Sequence, residues 1–467
     1  MNRKRPYLET GSACCAAIAA ALAGCQSYTP SPLDPAAHAG AWHARTLEED
    51  GSLREFLRRL EERGEGQDVA LDLEDGLGLR EGRLVALAWS PALRIERLRL
   101  ARAAGSAEHA GRWADPTLSA DVLRITESVS DRWVVTPGLA FTIPLSGSAA
   151  AERDHAGAER RVAALRVAEA EWDVWHAVGL SWIEWSSALL RVEETERLAA
   201  AVEELARSTA RLAESGELPR TEAALFAIEA ARLRNRLRRL QGEAEAAEAR
   251  LRSRLGLAPE APVTLVPALA GGPVRERSLP AHLSDQNPTL ARLRGEYAAA
   301  ERRLRLAICR QVPELVLGPL FESDAGQSRI GLAGAIPLPV LNGNRRAIAE
   351  ARADRELARA AFETEYERLV GRWAAASARA RSLAEGRREA EELLVPLVDR
   401  QLADALRLLE LGEGGSLVLL ESLQRVHGTK LELIETRAAE ALAHAEVEYL
   451  QGPPTPGWPA NAKEVTP

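Results

Sequence analysis

The chain has 467 residues and a formal net charge of −8, with only 4% Phe, Trp and Tyr against an abundance of Ala, Leu, Arg and Glu. Such a composition points to long packed helices, and the acidic balance excludes nucleic acid from the expected partners. Its eight histidines form no i, i+4 pair, and no phosphate loop or nucleophile motif is present, so neither an enzyme nor a metal or cofactor site is expected.

The front end reads as an export signal over residues 1–24, with Arg3, Lys4 and Arg5 before a small-residue apolar run from about Ala13 to Ala23. That run is too short to span a bilayer as a helix. It closes in Leu22-Ala23-Gly24-Cys25, which resembles a bacterial lipobox. Cys25 is then the expected acylated N-terminus, and Gln26 after it is what that resemblance associates with the outer membrane. Cys14 and Cys15 leave with the signal, so Cys309 is the one free thiol and no internal disulfide is expected.

Residues 25–76 read as a Pro-rich tether and equatorial segment with a short helix near Leu53–Leu60. The first full helix is expected from about Leu77 to Arg112, interrupted at Ser90-Pro91. A strand pair over 116–144 follows. In its second member Trp133, Val135, Leu139, Phe141 and Ile143 alternate with small or weakly polar residues. The next helix runs over 148–215 and carries Trp172, Trp175, Trp182 and Trp185, read as a seam of large side chains rather than an aromatic ligand site. Gly216 and Glu217 form a hairpin tip, a helix over 217–255 returns, and a Pro/Gly-rich linker covers 257–280.

Residues 281–450 repeat residues 77–256. Ser90-Pro91 is echoed by Asn287-Pro288, Pro116 by Pro313, Ile143-Pro144-Leu145 by Ile336-Pro337-Leu338, and Gly216-Glu217 by Gly412-Glu413, at offsets of about 193–197 residues. The second half therefore predicts a strand pair over 313–338, an unbroken helix over 344–410, a tip at Gly412 and Glu413, and a helix over 417–450. The tail, 451–467, is expected to be disordered. In the strand pair, Leu315, Leu317 and Phe321 face away from Glu314, Val316, Gly318 and Glu322, which suits a wall between lipid and water. Four strands in one chain cannot close such a wall, so strands in lipid demand an oligomer.

The repeated plan, the junction Ile336-Pro337-Leu338-Pro339-Val340-Leu341-Asn342-Gly343-Asn344, and the tip Leu411-Gly412-Glu413-Gly414 before Leu419-Leu420-Glu421-Ser422 resemble the TolC-type outer-membrane efflux proteins in their lipoprotein-anchored branch. The resemblance covers about Leu77 to Leu450. It implies a mainly α protein with transmembrane β strands: a homotrimer with a twelve-stranded barrel in outer-membrane lipid, continuous with a periplasmic helical barrel. It further implies a passive channel in a tripartite efflux system with a periplasmic adaptor and an inner-membrane pump, no catalysis, and no cofactor beyond lipid on Cys25. Gly216, Glu217, Gly412 and Glu413 then lie at the periplasmic mouth. Glu421 falls at the family's acidic constriction, although Val418 replaces its upstream acidic partner. An acid near a helix start also has a purely structural reason, and solvation of the turns is an equal reason for acids at the tips. The alternatives are a periplasmic coiled-coil adaptor lipoprotein or the channel of a type I protein secretion system.

Overall fold

The computed structural model describes residues 28–47, 51–62, 75–126, 133–269, 283–324, 327–411 and 415–453. Cys25, Gly412, Glu413 and the turn at 128–131 lie outside the described residues, as do the signal and nearly all of the tail. Met1–Arg45 and Thr46–Pro467 form separate compact units. In the first, α1 (Pro35–His43) replaces part of the expected tether. Asp34 caps it by accepting from the Ala37 N–H at 2.9 Å, and Pro35 sits in the first turn, where its missing N–H costs nothing.

In the second unit, α2 spans Gly51–Glu62, α3 Leu79–Trp89 and α4 Pro91–His109. The break falls at Ser90-Pro91, as expected from the missing proline donor. Strands β1 (Thr117–Arg124) and β2 (Trp133–Pro144) lead into α5 (Ser148–Ser215), 68 residues and therefore about 100 Å long. Gly216 ends α5 in the left-handed region at φ 82°, which no side chain would tolerate cheaply, and α6 (Arg220–Leu255) returns alongside. The plan then repeats: α7 (Leu283–Gln286), α8 (Pro288–Cys309), β3 (Glu314–Asp324), β4 (Gln327–Ala335), α9 (Arg345–Glu389), α10 (Val395–Glu410) and α11 (Ser416–Gln451).

Two boundaries differ from the sequence expectation. Strand β4 stops at Ala335, before Ile336 and Leu338, because Pro337 and Pro339 supply no ladder donors. The helix expected to run unbroken over 344–410 is divided by a π turn at Ala390–Leu394. Pro396 explains it: the ring has no N–H for the Glu392 carbonyl and displaces it, and one wider turn absorbs the conflict. Arg387 ties this turn to both Glu391 and Glu440 at 2.6 Å, and Arg437 meets Glu391 at 2.7 Å.

The main core lies midway along the helices, where Leu77, Val85, Trp89, Trp182, Leu251 and Leu255 pack together. Trp182 is wholly buried, and its indole N–H donates to the Val266 carbonyl at 3.0 Å. A side chain on Gly82 would overlap that indole, since a Cβ there would come within 2.5 Å of it. Trp172 and Trp185 are also buried, so the tryptophan stripe is a seam, as read from its spacing. Leu77 and Leu265 pair as a single parallel bridge, stitching the segment before α3 to the segment after α6.

A second junction joins α5 to α11. The Tyr449 hydroxyl donates to Asp173 at 2.7 Å, its ring stacks on His176 at 4.4 Å, and His176 faces Glu446 at 3.7 Å. Desolvation lowers the His176 imidazole to about 4, with Glu446 opposing and Arg83 and Arg372 adding to the fall. The folded state therefore favours neutral His176, so its contribution to stability is full above about pH 6.5. That contribution is lost as pH falls from there towards 4. Denaturation of His176→Phe followed between pH 7 and 4 is expected to lose this part of the pH dependence; an unchanged profile would contradict it.

Candidate functional site

The four strands form one antiparallel sheet in the order β1-β2-β3-β4, with β1 and β4 each paired on one side only among the described residues. Directly paired residues share a face, so the register sorts every side chain. One face carries Leu118, Ala120 and Val122 on β1 and Trp133, Val135, Pro137, Leu139, Phe141 and Ile143 on β2. It continues through Leu315, Leu317, Pro319 and Phe321 on β3 to Ile330, Leu332 and Gly334 on β4. By register its polar positions are Arg124, at the strand end with its guanidinium 5.8 Å from the Trp133 ring, Ser323 and Ser328.

The opposite face is small and polar. It bears Thr117, Ser119 and Asp121, Thr136 and Thr142, Glu314 and Glu322, and Gln327 and Arg329, among glycines and alanines. Leu123, Val134, Val316 and Leu320 are its larger apolar members. Glu322 and Arg329, opposite each other in register, pair at 3.1 Å. At Gly318 the strands come so close that a Cβ would lie 1.6 Å from the Leu139 carbonyl oxygen. The apolar face is uncovered: Ile330 is 86% and Leu332 70% exposed. A continuous apolar patch of this kind needs a nonaqueous neighbour. Among the described residues no helix is long and apolar enough to cross a membrane, and no cluster of His, Cys, Asp or Glu could hold a metal ion.

Beyond the sheet, α4, α5, α8 and α9 pack side by side in that order. A hollow of about 870 Å³ touches all four, which marks the concave side of a curved wall. Its charges are mixed, with Arg99, Arg102, Arg303 and Arg310 against Glu96, Glu152, Glu159 and Glu350. At the far end, the hairpin of α5 and α6 lies against that of α10 and α11. Phe226 and Leu420 share a buried cluster there, and the Ser416 hydroxyl donates to the Glu222 carboxylate, joining the first turns of α6 and α11.

Of the sequence-predicted tip residues, Gly216 and Glu217 are among the described residues. Gly216 turns the first hairpin, and Glu217 beside it is exposed. Glu421 is also exposed, but Arg425 one turn on pairs with it at 2.7 Å and reaches Gln401 on α10 at 3.4 Å. Sequence reading weighed Glu421 and missed this counter-ion, although the i, i+4 spacing was visible. Val418 is exposed one turn before it.

Solved structures similar to this chain include a membrane protein from Pseudomonas aeruginosa, at 18% identity over 82% of this chain and 92% of that one, with a TM-score of 0.69. The outer membrane protein VceC of Vibrio cholerae matches at 17% identity over 80% and 96%, with a TM-score of 0.65. The CmeC outer membrane channel of Campylobacter jejuni matches at 13% over 92% and 94%, with a TM-score of 0.67. The chain has the outer-membrane channel fold. No protein-family model matches the sequence, and no curated protein matches it. The outer-membrane channel fold accounts for the pairing of an amphipathic sheet with helices many times the ordinary length. The contact of Ser416 with Glu222 lies at the opposite end of α5 from the sheet and is the one to test. A double-mutant cycle of Ser416→Ala and Glu222→Gln, read by denaturation, is expected to give a coupling of about 1–2 kcal/mol. Additive effects would show that the hydrogen bond does not join the tips.

Proposed function

We propose that this chain is the outer-membrane channel of a tripartite efflux system, passively conducting substrates delivered by a periplasmic adaptor and an inner-membrane pump. The single observation that carries the reading is the sheet: one face mainly apolar with its polar residues at the strand ends, the other small and polar, and two edges unpaired among the described residues. In hydrocarbon an open edge leaves donors and acceptors without partners, so β1 of one copy must meet β4 of another. Three copies would supply twelve strands, in the size range of bacterial barrels. The likeness to solved outer-membrane channels supports the same placement. A periplasmic adaptor would have no use for an uncovered apolar face, and a protein-secretion channel would differ only in its pump.

In this reading lipid on Cys25 adds an anchor to a barrel that already holds the membrane. Gly216, Glu217, Gly412 and Glu413 form the mouth that meets the adaptor. Glu421, held by Arg425, lines the constriction, where its charge attracts cations and its ion pair moderates that attraction.

Planar-bilayer conductance of the detergent-solubilised protein, with oligomer mass measured on the same sample, tests the proposal. The expected result is a trimer with discrete conducting steps whose cation preference drops in Glu421→Gln. A monomer without conductance would refute the channel. Residue parity along β4 gives a sharper check. Leu332→Lys is expected to cost about 2–4 kcal/mol in membrane insertion, whereas Ala333→Lys, on the other face, is expected to cost little and to alter selectivity. Equal costs would contradict the assigned faces.

A further inference from the structure

The apolar face of the sheet continues past the end of its ladder. Ile336 and Leu338 follow Ala335 on the same alternation as Ile330 and Leu332, and both are exposed, Leu338 at 73%. β3 gives them no partner, because its pairing with β4 ends with Val316 opposite Ala335. Their counterparts in the first half are better served. Ile143 and Pro144 pair with Leu315 and Glu314 of β3. The second half thus keeps the residues of a ladder end without, among the described residues, the strand that would complete it.

The duplication supplies that strand. β2 corresponds to β4 through Ile143-Pro144-Leu145 and Ile336-Pro337-Leu338, and β3 corresponds to β1 through Pro313 and Pro116. In the channel reading β4 of one copy meets β1 of the next, and that junction is then the counterpart of β2 against β3. The pair Ile143 with Leu315 becomes Ile336 with Leu118 of the next copy, and Gly138 with Leu320 becomes Gly331 with Leu123. In the same register Leu332 meets Val122. Pro337 ends the junction opposite Thr117, as Pro144 ends its own opposite Glu314.

Barrel geometry gives the same register. One row of paired residues crosses the chain as Ser119, Gly138, Leu320 and Gly331. Run straight on, it would set Gly331 against Ser119 of the next copy and close a cylinder without tilt, which barrels do not form. At a tilt of about 35–45°, four strands spanning about 19 Å displace the next copy along the strands by about 13–19 Å, or about four to six residues. The register copied from β2 and β3 moves Gly331 from Ser119 to Leu123, a displacement of four residues. The same displacement in the other direction would leave only Gln327, Ser328 and Arg329 of β4 facing β1. An even displacement also keeps the faces, with Leu118, Ala120 and Val122 opposite Ile336, Gly334 and Leu332.

We propose that the contact between copies is staggered: β1 of one copy pairs with residues 330–337 of the next, and the exposed segment after β4 is a strand end that only a second copy completes. The proposal rests on the channel reading, in which copies meet edge to edge, and adds which residues meet. In the competing arrangement the copies pair in flush register and Ile336 and Leu338 face lipid alone.

Disulfide trapping in the membrane-embedded, full-length protein, in a background with Cys309→Ser, tests the stagger. Opposed residues of an antiparallel pair lie about 4.5–5.5 Å apart at Cα and can be bridged, whereas a four-residue slip parts them by about 13 Å, beyond the limit of about 7 Å. Leu118→Cys combined with Ile336→Cys, and Val122→Cys combined with Leu332→Cys, are expected to give cross-linked chains on oxidation. The flush combination, Leu118→Cys with Leu332→Cys, is expected to lose that product. Leu118→Cys and Leu332→Cys each take part in an expected combination, so misfolding or an unreactive thiol cannot mimic the pattern. Product from the flush combination, or from Leu118→Cys with Leu338→Cys in place of Ile336→Cys, would overturn the register and leave the edge-to-edge contact standing. No product from any of the four would overturn the contact itself, and the stagger with it.

Discussion

The two open edges of a four-stranded sheet constrain everything else in this protein. β1 and β4 each present a row of backbone donors and acceptors with no partner among the described residues, and the face between them is mainly apolar from Leu118 to Leu332. Water would satisfy the edges but reject the face, and hydrocarbon would accept the face but not the edges. Closure against further copies would meet both demands, which is the ground of the proposed oligomer. Glycine serves the same end: at Gly318 the backbone of β3 approaches Leu139 too closely for any side chain.

The helices answer a different requirement. A wall one helix thick has no deep core along most of its length, so its seams rest on small apolar residues and on many arginine–glutamate pairs. Bulk is concentrated midway, where Trp182 is wholly enclosed between α3, α5 and the segment carrying Val266. Towards the tips the packing thins to the cluster around Phe226 and Leu420, with polar ties at Ser416 and Arg425. The π turn at Ala390–Leu394, held by Arg387 and Arg437, lies between these regions.

Much of this plan was legible in the sequence because duplication and periodicity survive weak similarity. The alternation in β2 and β3 assigned the apolar face correctly, and the span of α5 followed from the glycines at 147 and 216. The misses have local causes. Pro396 sits inside an otherwise strong helical period, and the period masked the turn it forces. Ile336 and Leu338 kept a strand-like alternation after the prolines had ended the ladder. The helix at Pro35–His43 is set by its capping residues, which a Pro-rich composition concealed. At the candidate sites, Glu421 was visible but its ion pair was overlooked. The stacking of His176 on Tyr449, which are 273 positions apart in the chain, was passed over because it comes only from tertiary packing.

Closure of the sheet between copies is the central claim, and edge-to-edge cross-linking measures it directly. Single cysteines at Leu118, Ala120 or Val122 on β1 would be combined with one at Ser328, Ile330 or Leu332 on β4, in a background with Cys309→Ser. The membrane-embedded protein would then be oxidised. At least one combination is expected to give a covalent ladder that stops at three chains. A ladder that runs past three, or no edge-to-edge product in any register, would contradict it.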